Sequence, residues 1–427
     1  MTVLWVFDIA SNNYSTGAVM KKNIVLFAIV FFIVTTLDAR TPIDSTSTVI
    51  AYPAIPGLTT SDLYSVKVNG QNIWTEKFRT DMDVSKFPDW FIEPYTKVPQ
   101  EIHQASFSCN GELQVSIRVP NGIKKVSIHP LSRGIETNVD GDILTFSLPG
   151  PDKLYIQIDS LPPLFVFADP IENEKTLPDA PGVHYFGPGV HRPGYISLKD
   201  NETVYIAAGA IVYGGIRANG VHHIRVLGRG ILDGGFEFEQ MVLVENCKNV
   251  LFEGVMIRNG DGWTNTLSNC DSVRYTHVKV LSFGPAEDGI DPLGSRNIVI
   301  SNCFLRCTDD CIAIKAPAPD HIVNDIVITD NTMIGFAFSD GVTIGFETNA
   351  ASISNITVRN CDVILARGGS RVEGHSAFSI ICDGPALISH VLYENIRVEK
   401  SEIKLFELNI TDGAKYGTGP PLSLIHI

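Results

Sequence analysis

Positive charge is scarce in this chain. Its 427 residues hold 33 Lys and Arg against 47 Asp and Glu, a formal net charge of -14. So acidic a protein repels a phosphate backbone or an anionic membrane surface, and no run of basic residues offsets this, so nucleic acid is excluded as a partner. Long apolar runs are also missing. The run that stands out, Ile24 to Val34, is eleven residues, where a bilayer of about 30 Å at roughly 1.5 Å per helical residue needs about twenty. It starts after Met20-Lys21-Lys22 and ends in Thr35-Thr36-Leu37-Asp38-Ala39, the basic start and small-residue end of a secretory signal. Residues 20–39 are therefore expected to be removed near Ala39, with residues 1–19 a mis-assigned upstream segment. No Cys stands just after the run, so a lipid-anchored form is not expected. The expectation is a secreted or periplasmic protein with no membrane association after cleavage.

Cysteine is sparse and uneven, with Cys109 alone before residue 240 and seven between Cys247 and Cys382. A disulfide framework is spread more evenly, so buried thiols are expected, a bridge among Cys303, Cys307 and Cys311 staying open. What the chain does have is 44% hydrophobic residues, 36 Gly and 24 Pro, a globular composition rich in turns that leans towards β structure.

Two patterns divide the chain. Over residues 50–168, short runs such as Leu63-Tyr64-Ser65-Val66-Lys67-Val68 and Leu113-Gln114-Val115-Ser116-Ile117-Arg118-Val119 alternate apolar and polar beside Asn-Gly turns. That pattern predicts antiparallel hairpins in a small N-terminal β-sandwich, and no catalytic constellation falls within it. Further on, one strand recurs: Thr203-Val-Tyr-Ile, His223-Ile-Arg-Val, Asn249-Val-Leu-Phe, Ser272-Val-Arg-Tyr, Asn297-Ile-Val-Ile, Asp325-Ile-Val-Ile, Asn355-Ile-Thr-Val and His390-Val-Leu-Tyr, spaced by 20 to 35 residues. A second apolar strand follows each, as in Val255-Met256-Ile257 and Val363-Ile364-Leu365. Coils this thin cannot bury a core alone and must stack, so the sequence predicts a right-handed parallel β-helix over 180–419. The Leu-x-x-Leu-x-Leu frame of leucine-rich repeats is absent. Residues 420–427 do not continue the template, and an artefactual tail on a truncated last coil is expected there.

The third strand of each central coil carries the chemistry. Gly260-Asp261-Gly262-Trp263, Glu287-Asp288-Gly289-Ile290-Asp291, Asp309-Asp310-Cys311-Ile312 and Ser339-Asp340-Gly341-Val342 align so that Asp261, Asp288, Asp310 and Asp340 share a column. Rungs lie about 4.8 Å apart, which gathers Asp288, Asp309 and Asp310 in one patch. Stacked carboxylates repel, but crowding raises one carboxyl's pKa so that it donates a proton while its neighbours stay ionised. Glycoside hydrolysis needs such a set, and an inverting reaction wants acid and base about 6.5–9.5 Å apart, a gap that two adjacent coils can supply. Asp288, Asp309 and Asp310 are the expected catalytic residues. Asp261, Trp263, Lys315 and Asp340 are expected to bind substrate, Trp263 by offering a flat apolar face to a pyranose. Glu347 and His375 lie near the cleft in sequence, with a surface-loop role the plainer reading.

The stretches Glu287-Asp288-Gly289-Ile290-Asp291, Asn297 to Asn302 and Thr308-Asp309-Asp310-Cys311-Ile312-Ala313-Ile314-Lys315 resemble the paired motifs of glycoside hydrolase family 28, the polygalacturonases. The resemblance implies an inverting hydrolase in which Asp309 protonates the leaving oxygen while Asp288 and Asp310 position and activate water. The family's Gly-His-Gly motif falls on Ser339-Asp340-Gly341, and its Arg-Ile-Lys clamp falls near Ser379-Ile380-Ile381, leaving a galacturonate carboxylate without a basic pair. The chain also resembles family 49, the dextranases and isopullulanases of the same pectin-lyase-like clan, through Phe186-Gly187-Pro188-Gly189-Val190, Val204 to Ala210, Gly228-Arg229-Gly230-Ile231-Leu232 and Asn395 to Glu399. That likeness implies the same fold behind an N-terminal β-sandwich, and three aspartates. The expected partner is a polysaccharide, a dextran-like α-glucan or a pectin-type galacturonan, cut by a monomer that needs no cofactor and no metal. Two competing functions remain: a calcium-dependent polysaccharide lyase, for which the aspartate column offers no Arg as base, and a non-catalytic glycan-binding β-helix.

Overall fold

The computed structural model describes residues 47–80, 95–173, 176–367 and 376–411. The expected leader at 20–39, the upstream segment 1–19, His375 and the tail 420–427 lie outside them. Strands form nearly all the regular structure among the described residues. No helix among them is long and apolar enough to cross a membrane.

Residues 48–170 build two facing sheets. One orders Gln71–Ile73, Ser65–Val68, Leu113–Arg118, Ile143–Leu148 and Thr137–Asp140, all antiparallel. The other joins Thr48–Ala51, Glu101–Asn110, Leu164–Pro170, Asp152–Ile158 and Val126–His129, with Thr75–Arg79 beside Glu101–Asn110. The hairpin expectation misses one pairing: Leu164–Pro170 runs parallel to Glu101–Asn110, a pairing between distant segments that no local turn could announce. Val66, Val115, Phe146, Leu154 and Phe107 fill the space between the sheets.

From Val183 the chain winds as a parallel β-helix with three strand faces. The recurring template strands form one nine-stranded parallel sheet, from Val183–Phe186 to Leu387–Glu394. The template is a backbone requirement as much as a packing one. Its leading residues His223, Asn249, Ser272, Asn297, Asp325, Asn355 and His390 all sit at φ between 53° and 63°, the left-handed region that Asn and Asp tolerate best. At the neighbouring corner, Asn269 Nδ2 donates to Asn246 Oδ1 at 2.7 Å and Asn246 Nδ2 to Asn219 Oδ1 at 3.2 Å, an amide ladder joining successive coils. Inside, like stacks on like, with Val250, Val273, Ile298, Ile326 and Ile356 forming one apolar file. The eight cysteines are all buried free thiols, so the bridge left open among Cys303, Cys307 and Cys311 is not formed. Several point inward from coil corners and donate to the carbonyl two residues back, as Cys303 does to Ser301 and Cys361 to Arg359.

The six-stranded sheet of the sandwich lies against the second face of the helix. Ile102, Phe165 and Phe167 pack there on Met256, Leu281, Phe304 and Ile334. Buried charge is matched across this interface. Arg258 donates to Glu76 through both terminal nitrogens at 3.0 Å and to Asp233 through Nε at 2.7 Å, all three side chains being almost wholly enclosed. Lys279 Nζ lies 2.7 Å from Asp169 Oδ2, and Arg306 donates to the Pro99 carbonyl at 3.0 Å. Removing one member of such a set leaves an uncompensated charge in an apolar interface. Glu76→Ala is expected to lower the unfolding free energy by about 3–5 kcal/mol, read as a fall in the urea midpoint at unchanged slope.

Candidate active site

The third face of the helix runs through Val242–Glu245, Asn265–Ser268, Asp291–Leu293, Ile312–Ala316, Val342–Thr348 and Phe378–Cys382. Ile290 pairs with Ile312 in parallel register, and Ile312 with Val342. Two residues earlier on each coil stand Asp288, Asp310 and Asp340, stacked in direct register. The backbone ties them: Asp310 N–H donates to Asp288 Oδ1 at 3.0 Å, and Asp340 N–H donates to Asp310 Oδ1 at 3.0 Å. Asp309 sits beside them, its Oδ1 also accepting from Asp310 N–H at 3.1 Å. Asp288, Asp309 and Asp310 each bring one oxygen to a common spot, all within 4.8 Å of one another. That is tighter than the wide gap expected for an acid and a base on adjacent coils, because one amide draws two carboxylates together.

Crowding and enclosure hold protons on this cluster. Burial first, then the charges of Asp288 and Asp310, push the Asp309 carboxyl well above the ordinary carboxylate range, with Lys315 pulling the other way. Burial and then Asp288 push Asp310 up to about 7. Lys315 is the counter-charge: its Nζ lies 3.3 Å from Asp288 Oδ2 and 4.0 Å from Glu347 Oε2, and it rests 3.9 Å from the centre of the Trp263 ring. Glu347, a loop residue in the plainer sequence reading, thus joins the cluster through Lys315. Trp263 therefore meets an ammonium on one face, the contact a ring quadrupole favours.

Two residues depart from their expected places. Asp261 is out of the column, since Thr266 pairs with Asp291 and so puts Trp263 level with Asp288; Asp261 instead bridges Glu239 and is exposed. The apparent alignment of Gly260-Asp261-Gly262 with the Asp-Gly motifs is off by two residues, because Asn265, and not a residue nearer Asp261, takes the interior slot that Ile290 and Ile312 fill. Asp340 is in the column but wholly buried, its carboxylate taken by Ser376 N–H at 2.7 Å, Thr343 Oγ1 at 3.3 Å and the Ser379 hydroxyl. So enclosed, it holds Asp310 through its backbone and cannot meet a substrate.

Asp291 and Glu287 stood in the quoted motif without a role. Asp291 is fully buried beside Asp288, and both its oxygens lack a hydrogen-bond partner; burial and then Asp288 raise its pKa well above the carboxylate range. It follows the inward-facing Ile290, so the two-residue period of the strand turns it away from the interior file, a signal present in the sequence. Glu287 accepts from Phe283 N–H at 2.9 Å and Gly284 N–H at 2.7 Å, and burial raises its pKa to about 8. It clips the loop before Asp288 shut. Tyr95, from the N-terminal region, closes that loop from outside, its hydroxyl accepting from Ala286 N–H at 3.3 Å. Nothing local to residue 95 could have announced this contact.

Residues 209–408, just under half of the chain, match the model of "Glycosyl hydrolases family 28". A polygalacturonase of Cryptomeria japonica is 24% identical over 155 residues, covering 36% of this chain and 28% of that protein. An endo-polygalacturonase of Pectobacterium carotovorum subsp. carotovorum is 26% identical over 184 residues, covering 43% of each. The chain thus spans less than half the length of these curated relatives. Among solved structures, Dex49A from Penicillium minioluteum superposes with a TM-score of 0.58 at 16% identity, covering 88% of both chains; the likeness extends through the N-terminal sheets and is one of fold. The matches bear out the resemblance to the β-helix clan of families 28 and 49.

The cluster's protons give the site a measurable signature. Asp310 holds its proton up to about 7 in the folded state, against about 3.9 unfolded. Its contribution to stability is therefore full below about pH 4 and is lost as pH rises through 7. Asp310→Asn removes that dependence. The variant's melting temperature should exceed the parent's at pH 8, with the difference shrinking towards pH 4 in a pair of calorimetric scans.

Proposed function

We propose that the chain is a secreted glycoside hydrolase that cuts O-glycosidic bonds in a polysaccharide, with Asp309 as the acid and Asp288 and Asp310 positioning and activating water. The observation that carries this reading is the meeting of three carboxylates within 4.8 Å, one of which, Asp309, keeps its proton well above the carboxylate range. A proton so retained is available to a leaving oxygen at neutral pH. The ammonium of Lys315 faces Asp288 and not Asp309, which supports dividing the roles this way. All three aspartates lie inside the stretch matched by the family 28 model.

The reaction in this reading is inverting. Oxygens this close fall below the separation of about 6.5–9.5 Å usual for a two-carboxylate inverting site. Here three groups share two roles: Asp288 and Asp310, joined by one amide, hold a water between them, and Asp309 alone acts on the leaving oxygen. The division into a leader at 20–39, a sandwich over 50–168 and a helix over 180–419, and a monomeric state, belong to the same proposal.

For the sugar, we place a neutral α-glucan ahead of a galacturonan. Ser379 stands where a basic clamp residue would, and its hydroxyl closes on the buried Asp340. Lys315 is already engaged by Asp288 and Trp263. The polygalacturonases among the relatives support the other order. A second reading, a calcium-dependent lyase, draws on the same three oxygens, which could hold a divalent cation. Against it stands Lys315, whose charge competes for Asp288.

In reducing-sugar assays on dextran, pullulan and polygalacturonate, Asp309→Asn should lower kcat by about 10²–10⁴. EDTA should leave the parent's rate unchanged. Proton NMR should show the first product with its anomeric configuration inverted. A retained configuration would refute the shared-water arrangement, and an unsaturated, EDTA-sensitive product would establish the lyase.

A further inference from the structure

The face that carries the aspartates continues towards the N-terminal end of the helix, through the strands Val242–Glu245, Ala210–Asn219 and Gly189–Ser197. Following the register from Gly289, the next residue after Asp288, the same column passes Thr264, Met241 and Gly215 and reaches Tyr195. Four rungs separate Tyr195 from the catalytic coil, about 19 Å at about 4.8 Å per rung.

Tyr195 is built in a way its neighbours are not. Its side chain is 45% exposed, yet it is fixed on three sides. The guanidinium of Arg217 lies 3.8 Å from the ring centre, Phe238 meets the ring edge-on at 5.0 Å, and the hydroxyl donates to the Glu239 carbonyl at 3.2 Å. Arg217 is itself held, donating to the carbonyls of Gln240 at 2.7 Å and of Ile216 and Glu239 at 2.9 Å. A Cβ at Gly215 would stand 2.9 Å from the ring carbons Cδ1 and Cε1, so glycine there lets the ring lie across the neighbouring coil. An aromatic ring immobilised before binding and left open to solvent loses little entropy when something flat and apolar stacks on it.

We propose that Tyr195, backed by Arg217, is a distal sugar subsite that takes the apolar face of a pyranose in the same glycan chain whose scissile bond lies at the aspartates. This rests on the hydrolase reading for the scissile end. A glycan laid along the helix axis advances by about one ring per rung, since the pyranose repeat is of the same order as the rung spacing of about 4.8 Å. The subsite makes the protein a reader of chain length: only a chain long enough to reach from Asp288 to Tyr195 gains the contact.

The test is kcat/KM for isomalto-oligosaccharides from three to eight units and for oligogalacturonides of the same lengths, with Tyr195→Ala, Tyr195→Phe and Tyr195→Trp. In whichever series is cut, the octamer-to-trimer ratio should fall about tenfold in Tyr195→Ala, through KM, and should hold in the Phe and Trp variants. An unchanged ratio in Tyr195→Ala, in a protein whose activity is lost with Asp309→Asn, overturns the subsite and leaves the hydrolase reading standing. If neither series is cut, affinity electrophoresis in gels containing dextran or polygalacturonate decides. Retardation of the parent that Tyr195→Ala loses supports the subsite while the hydrolase reading fails; equal retardation of the two, or none for the parent in either gel, overturns it.

Discussion

Everything in the helical part of this chain follows from one constraint, the parallel stacking of coils in register. Each residue faces its counterpart one rung, about 4.8 Å, away. For apolar side chains this is pure gain, and the files of Val and Ile inside the helix are its result. For carboxylates it is a penalty, because like charges are held at short range with water largely excluded. A strand that places Asp288, Asp310 and Asp340 in one file spends stability on local chemistry, and the neighbouring residues show how that strain is managed.

The file is relieved differently at each rung. Asp340, the deepest, is surrounded by hydroxyl and amide donors from Ser376, Thr343 and Ser379. Asp288 faces the ammonium of Lys315. Asp309 and Asp310 are left with no cation of their own, and they are the two that remain partly open to the outside. Asp291, behind them, is fully buried, and burial followed by the charge of Asp288 pushes its carboxyl well above the ordinary carboxylate range. A graded set of this kind, with counter-charge on Asp288 and the proton held most firmly on Asp309, is an arrangement that can separate an acid from a base among identical side chains. The N-terminal region takes part through Tyr95, which closes the loop before Asp288, and through the Arg258–Glu76 pair, which braces the neighbouring coil.

Much of this was legible in the sequence, and what was not has physical causes. The template strands were found because their first residue must accept a left-handed backbone, so Asn, Asp, Ser and His recur there. Asp288, Asp309 and Asp310 were found because crowded acids have no structural excuse. Asp261 was misaligned because Asp261-Gly262 looks like Asp288-Gly289 and Asp340-Gly341, whereas register is set by the residue that fills the interior, here Asn265 beside Ile290. Asp340 was placed correctly along the file but given the wrong depth, since the serines that enclose it come from a coil 36 residues later. Glu76 was invisible. Its partner lies 182 residues away, and a buried ion pair between two domains leaves no trace in either one's local pattern.

The same register that crowds the acids also makes a ruler. In a fold whose outer face repeats every rung, a polymer lying along the axis meets one coil per repeat. The residues that vary along that face then decide how much of the polymer is felt. On the N-terminal side of the aspartates the face carries Trp263 against Lys315, Asp261 beside Glu239, and Tyr195 against Arg217. Aromatic rings backed by cations at both ends of this stretch, with carboxylates between them, suit a ligand that is flat, hydroxylated and uncharged better than one carrying a carboxylate on every ring. An anionic polymer would meet Asp261 and Glu239 midway and find Lys315 and Arg217 already bound to protein acceptors. The charge pattern of the face thus supports the neutral glucan proposed above, and it does so from residues other than those at the clamp positions.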